Sequence, residues 1–129
     1  MQKVVVDSDI IIDYIRQESG PFIELVNLSA QKKVRLFISG IVVAELIAGQ
    51  ETRHSDRLEA LEQLMGMAEF VPMDYVLSKS AGILVRDFKP IAISDAIVAA
   101  TALSLNAKLA TRNKKHFQGI TGLKFYSPR

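Results

Sequence analysis

Apolar positions along the chain follow two alternating rhythms. Lys3 to Val6 is a β-branched run stopped by Asp7, the pattern of a strand covered on both faces. Ile10, Ile11, Ile12, Tyr14 and Ile15 then suggest a short helix ending near Gly20 and Pro21, and Phe22, Ile23, Leu25, Val26 and Leu28 repeat the helical spacing. Residues 34–38 predict a second strand. Ser39 is expected to cap a helix over 41–48 that Gly49 closes. Leu58, Leu61, Leu64 and Met65 mark an amphipathic helix with acids on its other face. Phe70 and Val71 predict a brief strand before Pro72, and residues 76–85 a helix. Ser94 or Asp95 is expected to cap a helix over 96–105, and 108–110 and 124–126 complete the strands. This alternation predicts a single α/β domain over 1–129, with a mostly parallel sheet of four or five strands flanked by helices on both faces. In such sheets ligands bind beyond the carboxyl ends of the strands, which singles out Asp7 and the trio Thr111, Arg112 and Asn113.

Composition narrows the chemistry. At 129 residues, 49% hydrophobic and 23% charged, the chain suits one domain with a real core. It has no cysteine, which excludes disulfides and thiolate zinc sites, and its two histidines, His54 and His116, lie too far apart in sequence for an HExxH pair. Any metal must therefore sit on oxygen. The opening Met-Gln-Lys-Val-Val-Val-Asp does not read as a signal peptide, and no apolar run approaches the ~18 residues of a membrane span, so the expected location is the cytoplasm.

Among the acids, Asp7-Ser8-Asp9 sits at a strand exit where two carboxylates can converge on one cation, although a plain helix cap would explain them too. Asp13, one turn further, reads as a solvated helix acid. Glu45 interrupts Ile41-Val42-Val43-Ala44 and Leu46-Ile47-Ala48, a helix apolar nearly all round that is expected to be largely buried. An ionised carboxylate there costs several kcal/mol unless a cation or strong donors compensate it. Asp95 alone is an ordinary helix-start acid. Together, Asp7, Glu45 and Asp95 are three acids on separate elements of one sheet, a donor set suited to Mg2+ or Mn2+.

Four blocks in order carry a family resemblance over essentially the whole chain: Val4-Val5-Val6-Asp7-Ser8-Asp9; Ser39-Gly40-Ile41-Val42-Val43-Ala44-Glu45-Leu46 with Gly49; Ser94 to Ala102; and Ala110-Thr111-Arg112-Asn113-Lys114-Lys115-His116-Phe117. The sequence resembles PIN-domain ribonucleases, in particular the VapC-type toxins of toxin-antitoxin pairs. The resemblance implies a Mg2+- or Mn2+-dependent ribonuclease that hydrolyses RNA phosphodiesters to 5′-phosphate and 3′-hydroxyl products by metal-activated water. It implies catalytic roles for Asp7, Glu45 and Asp95, with Asn113 where many members carry a fourth acid. Metal ligation is expected from Asp7, Glu45, Asp95 and Asp9, which occupies a place where relatives often have Asn. Ser8, Thr111, Arg112, Lys114 and Lys115 are expected to meet the substrate or its bound water, and His116 is expected to be structural, beside Phe117.

Charge is unevenly spread behind a net +2. Lys108, Arg112, Lys114, Lys115, Lys124 and Arg129 form a basic last segment without an acid, whereas Glu45 to Asp74 holds seven acids against Arg53 and Arg57. A basic tail beside an acidic crevice suits a polyanion. The resemblance also implies a VapB-type antitoxin whose tail blocks the crevice and a homodimer or larger assembly. The stripe Leu58, Leu61, Leu64, Met65 could receive that tail or a second copy, or be core. Two alternatives stand beside the nuclease. One is a non-catalytic PIN-like domain that binds RNA or protein. The other is a haloacid dehalogenase-type phosphatase, which Val4 to Asp9 resembles but which needs later acids, and no acid follows Asp95.

Overall fold

A computed structural model describes residues 1–88 and 90–128, so Arg129 of the basic segment lies outside the described residues. The elements run β1 (Gln2–Val6), α1 (Ser8–Gln17), α2 (Phe22–Ala30), β2 (Val34–Ser39), α3 (Gly40–Ile47), a 3-10 turn (Gln50–Arg53), α4 (Ser55–Met65), β3 (Glu69–Val71), α5 (Tyr75–Asp87), α6 (Ile93–Leu105), β4 (Lys108–Ala110), a second 3-10 turn (Lys114–Phe117) and β5 (Lys124–Phe125). The expected α/β fold is present, with five strands, every pairing of which is parallel.

Strand order is β3-β2-β1-β4-β5. The chain builds outward from β1 through β2 to β3, then returns to the other side of β1 for β4. That reversal opens a crevice beyond the carboxyl ends of β1 and β4, where ligands of open parallel sheets bind. β1 is central, so Val4, Val5 and Val6 are fully buried, and the backbone N–H of Asp7 extends the pairing by donating to the Ala110 carbonyl at 3.0 Å. The core joins these valines to Leu36 and Ile38 of β2, Leu109 of β4 and the inner faces of the helices. Among the described residues, no helix is long and apolar enough to cross a membrane.

α6 is the best-covered helix, with Ala96 to Ala102 buried throughout. Four alanines in that run let it lie close to the sheet, and the buried Thr101 hydroxyl donates to the Ile97 carbonyl at 2.7 Å. Its start differs from expectation. Ala92 is the N-cap residue and gives no side-chain cap, so Ser94 and Asp95 lie inside the first turn and cap nothing. Asp95 is thereby released to face the crevice. α3 also departs from expectation: only Val42 and Leu46 are buried, while Ala44, Glu45 and Ile47 are exposed. It lies on the rim, so Glu45 keeps one side toward water. Ser39 precedes α3 as expected but makes no side-chain cap, and its buried hydroxyl has no hydrogen-bond partner.

Candidate active site

The site starts from the strand end. Asp7 takes the N-cap position of α1 in extended conformation and accepts the Ser8 N–H on Oδ1 at 2.8 Å. Its other oxygen accepts the Thr111 hydroxyl at 2.9 Å, across to the residue that follows β4. The capping and site readings of Asp7 therefore hold together: one oxygen ends the helix and the carboxylate still faces the crevice. Only 6% of Asp7 is exposed.

Asp9, in the first turn of α1, is buried as well. Its Oδ2 accepts the Asn113 side-chain amide at 2.9 Å and the Arg112 backbone N–H at 3.1 Å and lies 3.3 Å from the Thr111 hydroxyl, while its Oδ1 is buried without a partner. Asn113 also donates its backbone N–H to the Thr111 hydroxyl oxygen at 3.1 Å. One helical turn along, Asp13 pairs with the Arg112 guanidinium at 2.6 Å, so Arg112, expected at the substrate, is engaged with α1. Asp13 was legible only as an acid four residues after Asp9; that spacing is the signal that both face the same way.

Glu45 and Asp95 reach the crevice from α3 and α6. Asp95 is met by His116 of the second 3-10 turn, with Nδ1 3.4 Å from Oδ2. His116 thus stands at an acid of the site, while its neighbour Phe117 is the buried one. Lys114 and Lys115 flank it on the exposed surface.

Electrostatics ties the four acids into one group. Burial raises the Asp7 carboxyl above the ordinary range against the pull of Thr111 and Ser8, with Asp95 adding repulsion. Asp9 is raised by burial and then by Asp7. Glu45 is raised by burial, then by Asp7 and Asp95, with the Ser8 side chain working the other way. Asp95 is raised by burial, which outweighs His116. Each therefore gains from any cation that enters.

The donor set fits a divalent cation of the hard kind. Every candidate ligand is a carboxylate or hydroxyl oxygen, and among the described residues the cationic relief comes from Arg112 beside Asp9 and His116 beside Asp95. Among the described residues no three His, Asp or Glu side chains stand close enough together to hold a metal ion on their own. Mg2+ does not require such a cage, because it keeps several waters and commonly takes one or two carboxylates.

Beside the crevice a cleft of about 690 Å³ runs between α1, α3 and α4. Ile12, Ile15, Leu46, Leu61 and Leu64 line it, and Glu45 stands on its wall, joining cleft to crevice. The α4 stripe is divided accordingly: Leu61 and Met65 belong to the core, and Leu61 and Leu64 also face the cleft.

The PIN-domain family model matches residues 4–122, and the five-stranded parallel sheet with acids gathered at its switch point agrees with it. The chain belongs to this family. Within it, the chain is similar to Ribonuclease VapC10 of Mycobacterium tuberculosis, 34% identical over 125 residues, covering 94% of this chain and 90% of the relative. VapBC-1 from nontypeable Haemophilus influenzae shares its fold with a TM-score of 0.76 at 27% identity, covering 98% of both chains. VapBC2 from Rickettsia felis, solved bound to a DNA fragment from its promoter, gives a TM-score of 0.82 at 22% identity, over 99% of this chain and 100% of that one. The phosphatase alternative is displaced by the family match.

Proposed function

We propose that the crevice is the active centre of a divalent-metal-dependent endoribonuclease of the VapC type, a toxin held in check by a VapB-type antitoxin. The observation that carries this reading is the convergence of Asp7, Glu45 and Asp95, from three separate elements, on the switch point of the sheet. Desolvation, and then the neighbouring acids, raise all three carboxyls, as expected where negative charge gathers without a compensating cation. The names of the relatives supply the reaction class.

Asp7, Glu45 and Asp95 would hold Mg2+ or Mn2+. When bound, such an ion lowers the pKa of water and offsets charge on the leaving oxygen of an RNA phosphodiester. The chain's own residues set the stage. Ser8 and Thr111 fix the Asp7 carboxylate by a hydrogen bond to each oxygen, so its remaining lone pairs keep one direction. Glu45, on the exposed side of α3, supplies a longer and more adaptable carboxylate. Lys114 and Lys115 attract the phosphate chain toward the acids, which would otherwise repel it. The cleft against Glu45 suits an antitoxin segment that presents apolar side chains to Ile12, Ile15, Leu61 and Leu64 and a basic one to the acids.

The purified protein is expected to cleave RNA with Mg2+ or Mn2+ and to stop with EDTA. Asp7→Asn and Asp95→Asn are each expected to lower cleavage by about 100-fold or more while keeping the fold by circular dichroism. Cleavage that persists in EDTA, or that is equal in wild type and Asp7→Asn, would sink the metal-nuclease reading. Expression alone is expected to arrest growth, and co-expression of a neighbouring gene's product to relieve it; harmless expression of folded protein argues against the toxin role.

A further inference from the structure

The geometry points to Asp9 as a positioning residue that fastens the loop Thr111–Asn113 to α1 and through it aims Asp7. This deepens the metal-nuclease reading and rests on it.

The three donors around Asp9 all converge on one oxygen. Asn113 Nδ2 and Arg112 N, at 2.9 and 3.1 Å, already occupy the two lone pairs of Oδ2. The Thr111 hydroxyl has a single proton and lies nearer to Asp7 Oδ2, at 2.9 Å, than to Asp9 Oδ2, at 3.3 Å, so that proton goes to Asp7. The Asn113 N–H donates into the same hydroxyl from behind at 3.1 Å, fixing where its proton points. A continuous path therefore leads from Asp9 through the loop to the carboxylate at the head of the site. Arg112 ties the loop to α1 a second time at Asp13, so both acids on this face of the helix serve the same loop.

A positioning acceptor needs one oxygen, and an amide supplies one. A ligand needs an anionic oxygen turned to the ion, and the only one left to Asp9 is Oδ1, buried without a partner. Asparagine separates the two roles. Its oxygen can take the place of Oδ2 and its NH2 the place of Oδ1, where it would repel a cation that Oδ1 had been holding.

The experiment measures Mn2+ affinity by calorimetry, protection of the Arg112 amide by hydrogen exchange, and RNA cleavage, on wild type, Asp9→Asn, Asp9→Ala, Asn113→Ala and Asp7→Asn. Asp9→Asn is expected to keep Mn2+ affinity within about threefold of wild type and to retain Arg112 protection. Asp9→Ala is expected to lose that protection with or without Mn2+, and to lower kcat by about tenfold or more with KM for RNA little changed. Asn113→Ala should follow it in part. If Asp9→Asn loses Mn2+ binding as Asp7→Asn does while Arg112 stays protected, Asp9 is a ligand and the proposal fails. Full Arg112 protection in Asp9→Ala overturns it equally. Both readouts need no RNA, so failure of the ribonuclease reading alone leaves this test intact.

Discussion

Asp7 accepts two hydrogen bonds and is still held above its ordinary pKa, because burial outweighs both. The sign follows directly. A carboxyl raised in the folded state favours folding when protonated; that contribution is complete below the unfolded pKa of about 4 and is lost as pH rises through the folded value. In cation-free buffer Asp7→Asn is therefore expected to melt at a higher temperature than wild type at neutral pH, and the gap to close toward pH 4. Asparagine caps a helix as well as aspartate does but turns an NH2 toward the Thr111 hydroxyl that Asp7 Oδ2 accepts, so the pH dependence of the gap, and not its absolute size, isolates the charge. Saturating Mg2+ should shrink the difference by stabilising wild type alone; an unchanged or reversed gap in the cation-free series refutes the burial argument. At this scale the sequence was informative for Asp7, Glu45 and Asp95, since acids at strand exits or inside apolar runs are costly wherever the chain folds. Asp9 and Asp13 were harder. Their partners lie about a hundred positions away, at Arg112 and Asn113, and no local pattern announces such a meeting.

The second 3-10 turn, Lys114–Phe117, is a small element with a large lever. Phe117 is 1% exposed and meets Phe125 edge-on at 6.4 Å, anchoring one end of the segment that carries Lys114, Lys115 and His116. Phe117→Ala is expected to cost about 3–5 kcal/mol by chemical denaturation. Under conditions where the variant is still folded it should also lower cleavage, since the His116–Asp95 contact depends on that anchor; full activity in the folded variant argues against the lever. Neither 3-10 turn was legible in the sequence, because four residues carry no periodicity. β1 and β2 were, because buried parallel strands leave short apolar runs between helices, and the brief β3, β4 and β5 fall at the expected positions 70–71, 108–110 and 124–126 to within a residue. α3 misled because an apolar composition does not by itself bury a short helix on the rim, where Ala44, Glu45 and Ile47 stay exposed. The start of α6 misled for a different reason: Ser94 and Asp95 are good caps by type, but the backbone enters the helix earlier, at Ala92 and Ile93.

Alternation of strands and helices was enough to predict a parallel sheet, but not its order, which depends on where the chain returns to β1. That return places the basic last segment beside the acids of the first. Lys114 lies with its ammonium 5.8 Å from the Phe125 ring centroid, whereas exposed Lys115 has no such ring partner among the described residues. Binding of single-stranded RNA by an Asp7→Asn, cleavage-deficient protein is expected to weaken linearly in log–log plots against salt. Adding Lys115→Ala should reduce the slope by about 0.7, one phosphate contact. An unaltered slope removes Lys115 from the RNA path.

The sheet's return also sets an order in time. Asp7 and Thr111 are 104 positions apart, and Asp95 follows most of the chain, so a ribosome adding about 5–20 residues per second delivers the loop that meets Asp7 late. The cleft proposed for the antitoxin is built between residues 12 and 64. During translation the residues that line the cleft therefore leave the ribosome before those that complete the crevice, and a chain interrupted before residue 108 lacks the threonine that holds Asp7 in place.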